Sequence, residues 1–163
     1  MTERTLEVHV GSGMDSLQFG MDEPQVRAEL SAYGNVVDVT APGSALSLRT
    51  QGLDDAFSIY AAFNADGFLF TLEIWRPTDV SLIDVNLYGI PVFATPADRV
   101  LAVLAELGHR LDFEDQWHPL LPEVSIGLDR EGGDDCDDDG LARYFQSIFI
   151  APPGYYYKPL AFG

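Results

Sequence analysis

The sequence predicts an α+β protein built from two tandem repeats, each a helix packed on an antiparallel sheet of about three to four strands. Three observations carry this expectation. Two capped helix openings, each closed by a glycine, stand 74 residues apart, and runs of period two follow each of them. Residues at the same shift then match again near the end of each half. The repeats are placed at 1–80 and 81–163, the second carrying an acidic loop and an aromatic C-terminal tail, and together they are expected to form one compact unit.

The first helix opens at Asp22-Glu23-Pro24-Gln25. Asp can accept from the free amides of the first turn, Gln three residues on can reach back, and Pro tolerates an early helical position. Val26 and Leu30 follow at one-turn spacing and Gly34 can close the helix, which predicts a helix over 23–33. Alternation then predicts strands over 36–40, 45–50, 57–63 and 68–75, the last two joined by the turn Asn64-Ala65-Asp66-Gly67. The second helix opens at Thr95-Pro96-Ala97-Asp98, runs through Val100, Leu101, Leu104 and Leu107 to Gly108, and is predicted over 96–107. Strands over 109–113, 123–128 and 143–150 complete the second half.

One constant shift carries Phe19, Val26, Leu30 and Gly34 onto Phe93, Val100, Leu104 and Gly108, and Phe70, Ile74 and Trp75 onto Tyr144, Ile148 and Phe149. Helix amphipathicity explains Val, Leu and Gly singly, but not the recurrence at one shift in both helix and strand.

A helix covering one face of an antiparallel sheet sorts the strand residues by parity. Phe57, Ile59, Ala61, Phe63, Phe70, Leu72, Ile74 and Ile148 are the expected core. The opposite parity gives Tyr60, Glu73, Trp75, Phe145 and Phe149, a set rich in the aromatic residues that anchor interfaces. The alternatives are cover by the tail APPGYYYKPLAFG, cover by the other repeat, or self-association.

Composition bounds the rest. The chain has 163 residues, 47% of them hydrophobic, enough for a packed core, and no run approaches the roughly 18 apolar residues of a membrane helix. The opening MTERTLEVHVGSG lacks the basic start and apolar stretch of a secretory signal, so a cytoplasmic protein without membrane contact is expected. The net charge of -17 repels nucleic acid and attracts a basic protein partner. A lone Cys136 among aspartates argues against disulfide or thiolate chemistry.

Between 112 and 139 the chain places 11 of its 26 acids against one basic residue, Arg130. Asp134, Asp135, Asp137, Asp138 and Asp139 make this an acidic loop for partner binding, a calcium loop, or a solvated segment. Asp135, Asp137, Asp139 and Gly140 match the first half of a D-x-D-x-D-G calcium loop, but the twelfth position is Gln146, not the bidentate Glu that motif needs. These three aspartates are the weak metal candidates. His9, His109 and His118 show no metal spacing and are read as surface or structural residues. No serine has a nucleophile-elbow context and GSG at 11–13 is too short for a phosphate loop, so no catalytic residue and no cofactor is expected.

The phrase Leu17-Gln18-Phe19-Gly20-Met21-Asp22, running into a helix with Val26 and Leu30, resembles the opening of the small outer-membrane assembly lipoproteins of the SmpA/OmlA type. Doubled over about 75 residues, such a unit resembles the β-lactamase inhibitory protein family. That resemblance implies two repeats, each laying helical structure on a four-stranded antiparallel sheet, and binding of an enzyme target through the concave sheet face and loops. The sequence departs from it in lacking a lipidation cysteine and a cysteine pair, and in showing one helix per repeat; no target-contacting motif carries over. The expected function is a non-enzymatic protein-binding module, such as an inhibitor or immunity protein for a basic enzyme or toxin. The alternative is a small-ligand or calcium-binding protein using the 134–140 loop or the cleft between the repeats.

Overall fold

Residues 57–63 alternate strictly between buried and half-buried and form an inner strand of the larger of two sheets. The computed structural model describes residues 4–52 and 57–156. Its elements are β1 (Arg4–His9), β2 (Gly13–Met14), β3 (Leu17–Gln18), α1 (Glu23–Leu30), β4 (Asn35–Asp38), β5 (Ser47–Gly52), β6 (Phe57–Phe63) and β7 (Leu69–Trp75). There follow β8 (Ile83–Leu87), β9 (Ile90–Pro91), α2 (Ala97–Glu106), β10 (Leu120–Leu121), a 3-10 turn at Pro122–Val124, β11 (Ile126–Asp129) and β12 (Ser147–Ile150). This is a mixed α+β fold with two helices and two sheets among the described residues.

The seven-stranded sheet runs β10-β11-β12-β7-β6-β5-β4, antiparallel throughout. The five-stranded sheet runs β3-β2-β1-β8-β9, with β1 and β8 parallel. Each sheet therefore takes strands from both halves of the chain. At the centre of the larger one, Ile74 of β7 lies between Ile59 of β6 and Ile148 of β12, all three fully buried. They share one apolar cluster with Val26 and Leu30 of α1 and Val100 and Leu104 of α2. The Thr50 hydroxyl donates to the Leu30 carbonyl, fastening β5 to the end of α1.

The expected core holds with one exception, Phe70, which is 39% exposed. A β-bulge is the cause: Ala62 pairs with Thr71 but Phe63 with Leu69, so Phe70 has no partner on β6 and Leu69 takes the inward place.

Helix α1 forms as its sequence dictates. Asp22 accepts from the Gln25 amide, the Gln25 side chain accepts from the Asp22 amide, and Pro24 occupies the first turn. It ends at Leu30, three residues earlier than expected. Helix α2 is started differently from the Thr95 cap expected: Pro96 itself holds the cap position with no side-chain cap, and the Ala97 amide donates to the Arg143 carbonyl. Just upstream the buried Asp84 of β8 accepts from the amides of Val85, Phe93 and Ala94 at 2.6, 3.0 and 2.9 Å, which fixes the approach to the helix.

The expected strands of the second half are shorter than periodicity implied. Of 109–113 only a bridge between Asp112 and Leu120 remains; β11 starts at Ile126, after the 3-10 turn; β12 starts at Ser147, because the chain bends over 143–146. Among the described residues no helix is long and apolar enough to cross a membrane.

Candidate functional site

Parity sends every second residue of the large sheet away from the helices, and register then lines these residues up. One row reads Arg49, Tyr60, Glu73, Phe149, Gly127, and the next reads Ser58, Trp75, Ser147, Asp129. Trp75 is 39% exposed and meets Tyr60 edge-on at 6.4 Å. The Arg49 guanidinium donates to the Tyr60 hydroxyl at 3.2 Å, while its Nε has no hydrogen-bond partner among the described residues.

The face is partly roofed by the end of the chain. Ser125, in a left-handed conformation with φ 55°, accepts the Tyr155 amide on its hydroxyl and the Ala151 amide on its carbonyl. Tyr155 thereby packs on Phe70 and Phe149 at 5.8 and 5.1 Å. Tyr156 lies over Gly127, where an added Cβ would sit 2.6 Å from the Tyr156 hydroxyl, so glycine is the residue that leaves it room. Tail cover and an exposed aromatic face were expected as alternatives; both occur, because the roof reaches Phe149 and leaves Trp75, Phe70 and Tyr155 open to solvent. Tyr157 and the rest of the tail lie outside the described residues.

Glu73 stands in the middle of this face, between Tyr60 and Phe149. Burial among rings holds its carboxyl above the ordinary range, with the charge of Asp129 adding to the effect and a hydrogen bond from Trp75 opposing it. Burial likewise pushes the Tyr156 phenol up to about 12, with Tyr155 and Glu73 contributing. Because Glu73 is raised in the fold, its contribution to stability is fully present below the ordinary value of 4.5 and is lost as pH rises through the folded value. Glu73→Gln is therefore expected to raise the urea midpoint at about pH 7 and to leave it unchanged at about pH 4. An equal gain at both pH values would show that the charge is not the cause.

Phe145 does not belong to the face. It is fully buried, because it precedes β12 in the bent stretch 143–146, where strand parity does not apply.

The acidic loop is folded on itself. Cys136 bridges Ala142, the Arg143 amide donates to the Asp135 carbonyl, and Asp137 Oδ1 accepts from the amides of Asp139 and Leu141. Buried Arg130 donates to the Ala142 carbonyl and to Asp98 at 2.9 Å each, with Asp137 3.7 Å away, and Arg143 pairs with Asp135 at 2.9 Å. Asp135 and Asp137 thus face different partners, while Asp134, Asp138 and Asp139 are exposed.

Sequence reasoning missed the convergence of His118, Asp129 and Glu131. His9 is exposed and His109 packs on the Tyr88 ring at 4.5 Å, but His118 Nε2 is 3.2 Å from Glu131 and 3.6 Å from Asp129, and its Nδ1 is 2.7 Å from Asp115. The hydrogen bond with Asp115 raises the imidazole above its usual range and lowers the Asp115 carboxyl. Sequence spacing could not show this, since the two segments are brought together by backbone pairing: β10 on β11, the Arg130 amide donating to the Trp117 carbonyl and the Leu128 amide donating to that of Pro119. Asp115–His118 and Asp129–Glu131 were each legible as short polar pairs, without the register that joins them.

Compared with known proteins, the chain matches no family model, no curated protein and no solved structure.

Proposed function

We propose that the outer face of the seven-stranded sheet binds a basic protein, as an inhibitor or immunity protein binds its enzyme or toxin. The observation that carries this reading is a costly carboxylate, Glu73, set among the partly open rings of Tyr60, Trp75, Phe149 and Tyr155. A half-buried carboxylate among rings is poised to pair with an Arg or Lys of a partner, which would compensate its burial. Trp75 and its neighbours supply apolar contact, and the acidic rim at 129–139 together with a net charge of -17 would steer a cationic partner and set the rate of encounter.

The test uses the protein as bait at low and high salt, with Trp75→Ala beside it. One basic protein is expected to be retained stoichiometrically by the wild type, weakened by salt, and bound by Trp75→Ala with a loss on the order of 2 kcal/mol. Equal retention by both would sink the reading, provided that circular dichroism shows the variant folded. Gel filtration of the bait distinguishes a second copy of the chain from a foreign partner.

The fold belongs in the same proposal: two repeats of helix and antiparallel strands, similar to the arrangement of the β-lactamase inhibitory protein family. Three features support it. Ile74 and Ile148, at the repeat shift, are direct cross-strand partners; Val26 with Val100 and Leu30 with Leu104 are all fully buried; and Asp112 bridges Leu120 much as Asp38 pairs with Leu48.

A further inference from the structure

We propose that His118, Asp129 and Glu131 bind one divalent transition-metal ion of the zinc type. The three candidate ligand atoms lie within 4.8 Å of one another, with His118 Nε2 at 3.2 Å from Glu131 Oε2 and 3.6 Å from Asp129 Oδ1. Ligands each about 2.1 Å from a shared tetrahedral or octahedral ion stand roughly 3.0–3.4 Å apart, so small side-chain movements close the shell.

The imidazole is also aimed. Asp115 Oδ2 lies 2.7 Å from Nδ1, and the same carboxylate is held by the Trp117 amide on its other oxygen. A carboxylate on one ring nitrogen places the proton there and directs the other nitrogen's lone pair outward, the second-shell arrangement of metal-bound histidines. In that tautomer the lone pair points at two carboxylates, so three acceptors converge with no side-chain donor between them until a cation enters. Asp129 closes β11 and accepts the Glu131 amide on Oδ1, while Arg130 between them turns the other way, toward Asp98 and Asp137. No arginine or lysine among the described residues pairs with any of the three acids.

The chemistry of the set separates it from the aspartate loop. One imidazole nitrogen among three ligands suits zinc and its neighbours better than calcium, which takes an all-oxygen shell of six to eight ligands. The cluster borders a cavity of about 210 Å³ lined by His118, Asp129, Glu73, Ser147, Phe149 and Tyr156. Open coordination positions would face that space. The rival occupant is a second ring proton, which makes His118 an imidazolium ion paired with its carboxylates.

Calorimetric titration of zinc into chelator-stripped protein at about pH 7 decides between them, since metal must displace that proton. The expected result is one saturable site, reversed by chelator, abolished in His118→Ala, weakened about 10–100-fold in Asp115→Asn, and unchanged in the double variant Asp135→Asn, Asp137→Asn. Nitrogen NMR of the imidazole supplies an independent readout, with Nε2 shifting on addition of zinc. The proposal is overturned by the lack of a saturable site, by an equal affinity in folded His118→Ala, which would assign the zinc to exposed acids, or by an imidazole that stays doubly protonated and unmoved.

Discussion

Asp84→Ala is expected to destabilise the protein by about 3–5 kcal/mol, because it leaves buried amides without an acceptor. The carboxylate is 1% exposed and takes three backbone hydrogen bonds, two on Oδ1 from Val85 and Phe93 and one on Oδ2 from Ala94. Burial pushes its pKa up while the three amides and Arg76 pull it down, so the group is neither cheaply charged nor cheaply removed. Asp84→Asn should cost less, since it keeps one accepting oxygen, and its remaining cost is the NH2 that then faces a backbone N–H donor. In a chain of this size the alanine variant should melt about 6–20 °C lower by calorimetry. A loss under about 1 kcal/mol would mean that water replaces the carboxylate.

Ile74→Ala should cost about 2–5 kcal/mol, read as a shift in the urea midpoint at unchanged slope. The side chain is fully buried between Ile59 and Ile148 at the middle of the larger sheet, where neighbouring strands cannot collapse to fill the void. Trp75, one residue on, faces the other way; its replacement by Ala should cost about 1 kcal/mol or less, in keeping with a surface site. Equal losses at 74 and 75 would overturn the assignment of the two faces.

Those faces were legible because β6 alternates throughout and β7 does so from Leu72 to Trp75, and α1 was legible because Asp22 and Gln25 form a local, reciprocal cap. The misplacements have local causes as well. Phe70 left the core through a bulge that shifts register without changing composition, and Phe145 entered it because the chain bends before β12. Much of the smaller sheet escaped notice because β2, β3 and β9 have two residues each, too few to show a period, whereas β8, Ile-Asp-Val-Asn-Leu, alternates and could have been read. The strand Arg4–His9 does alternate, with Leu6 and Val8 buried, and could have been read. Of the candidate site, the aromatic row followed from parity alone, whereas the histidine cluster depended on pairings across the fold. Its ligands are separated by a hairpin whose register no spacing rule encodes.

The place of β12 has a consequence for synthesis. It lies between β7 and β11, so the seam of the larger sheet closes only when residues 147–150 arrive. At ordinary translation speeds of about 5–20 residues per second, the stretch from Trp75 to Ser147 takes roughly 4–14 s to emerge. For that interval the nascent chain presents β7 as an open edge carrying Leu72 and Ile74, the kind of unpaired strand that chaperones bind and that pairs wrongly with its neighbours on a polysome.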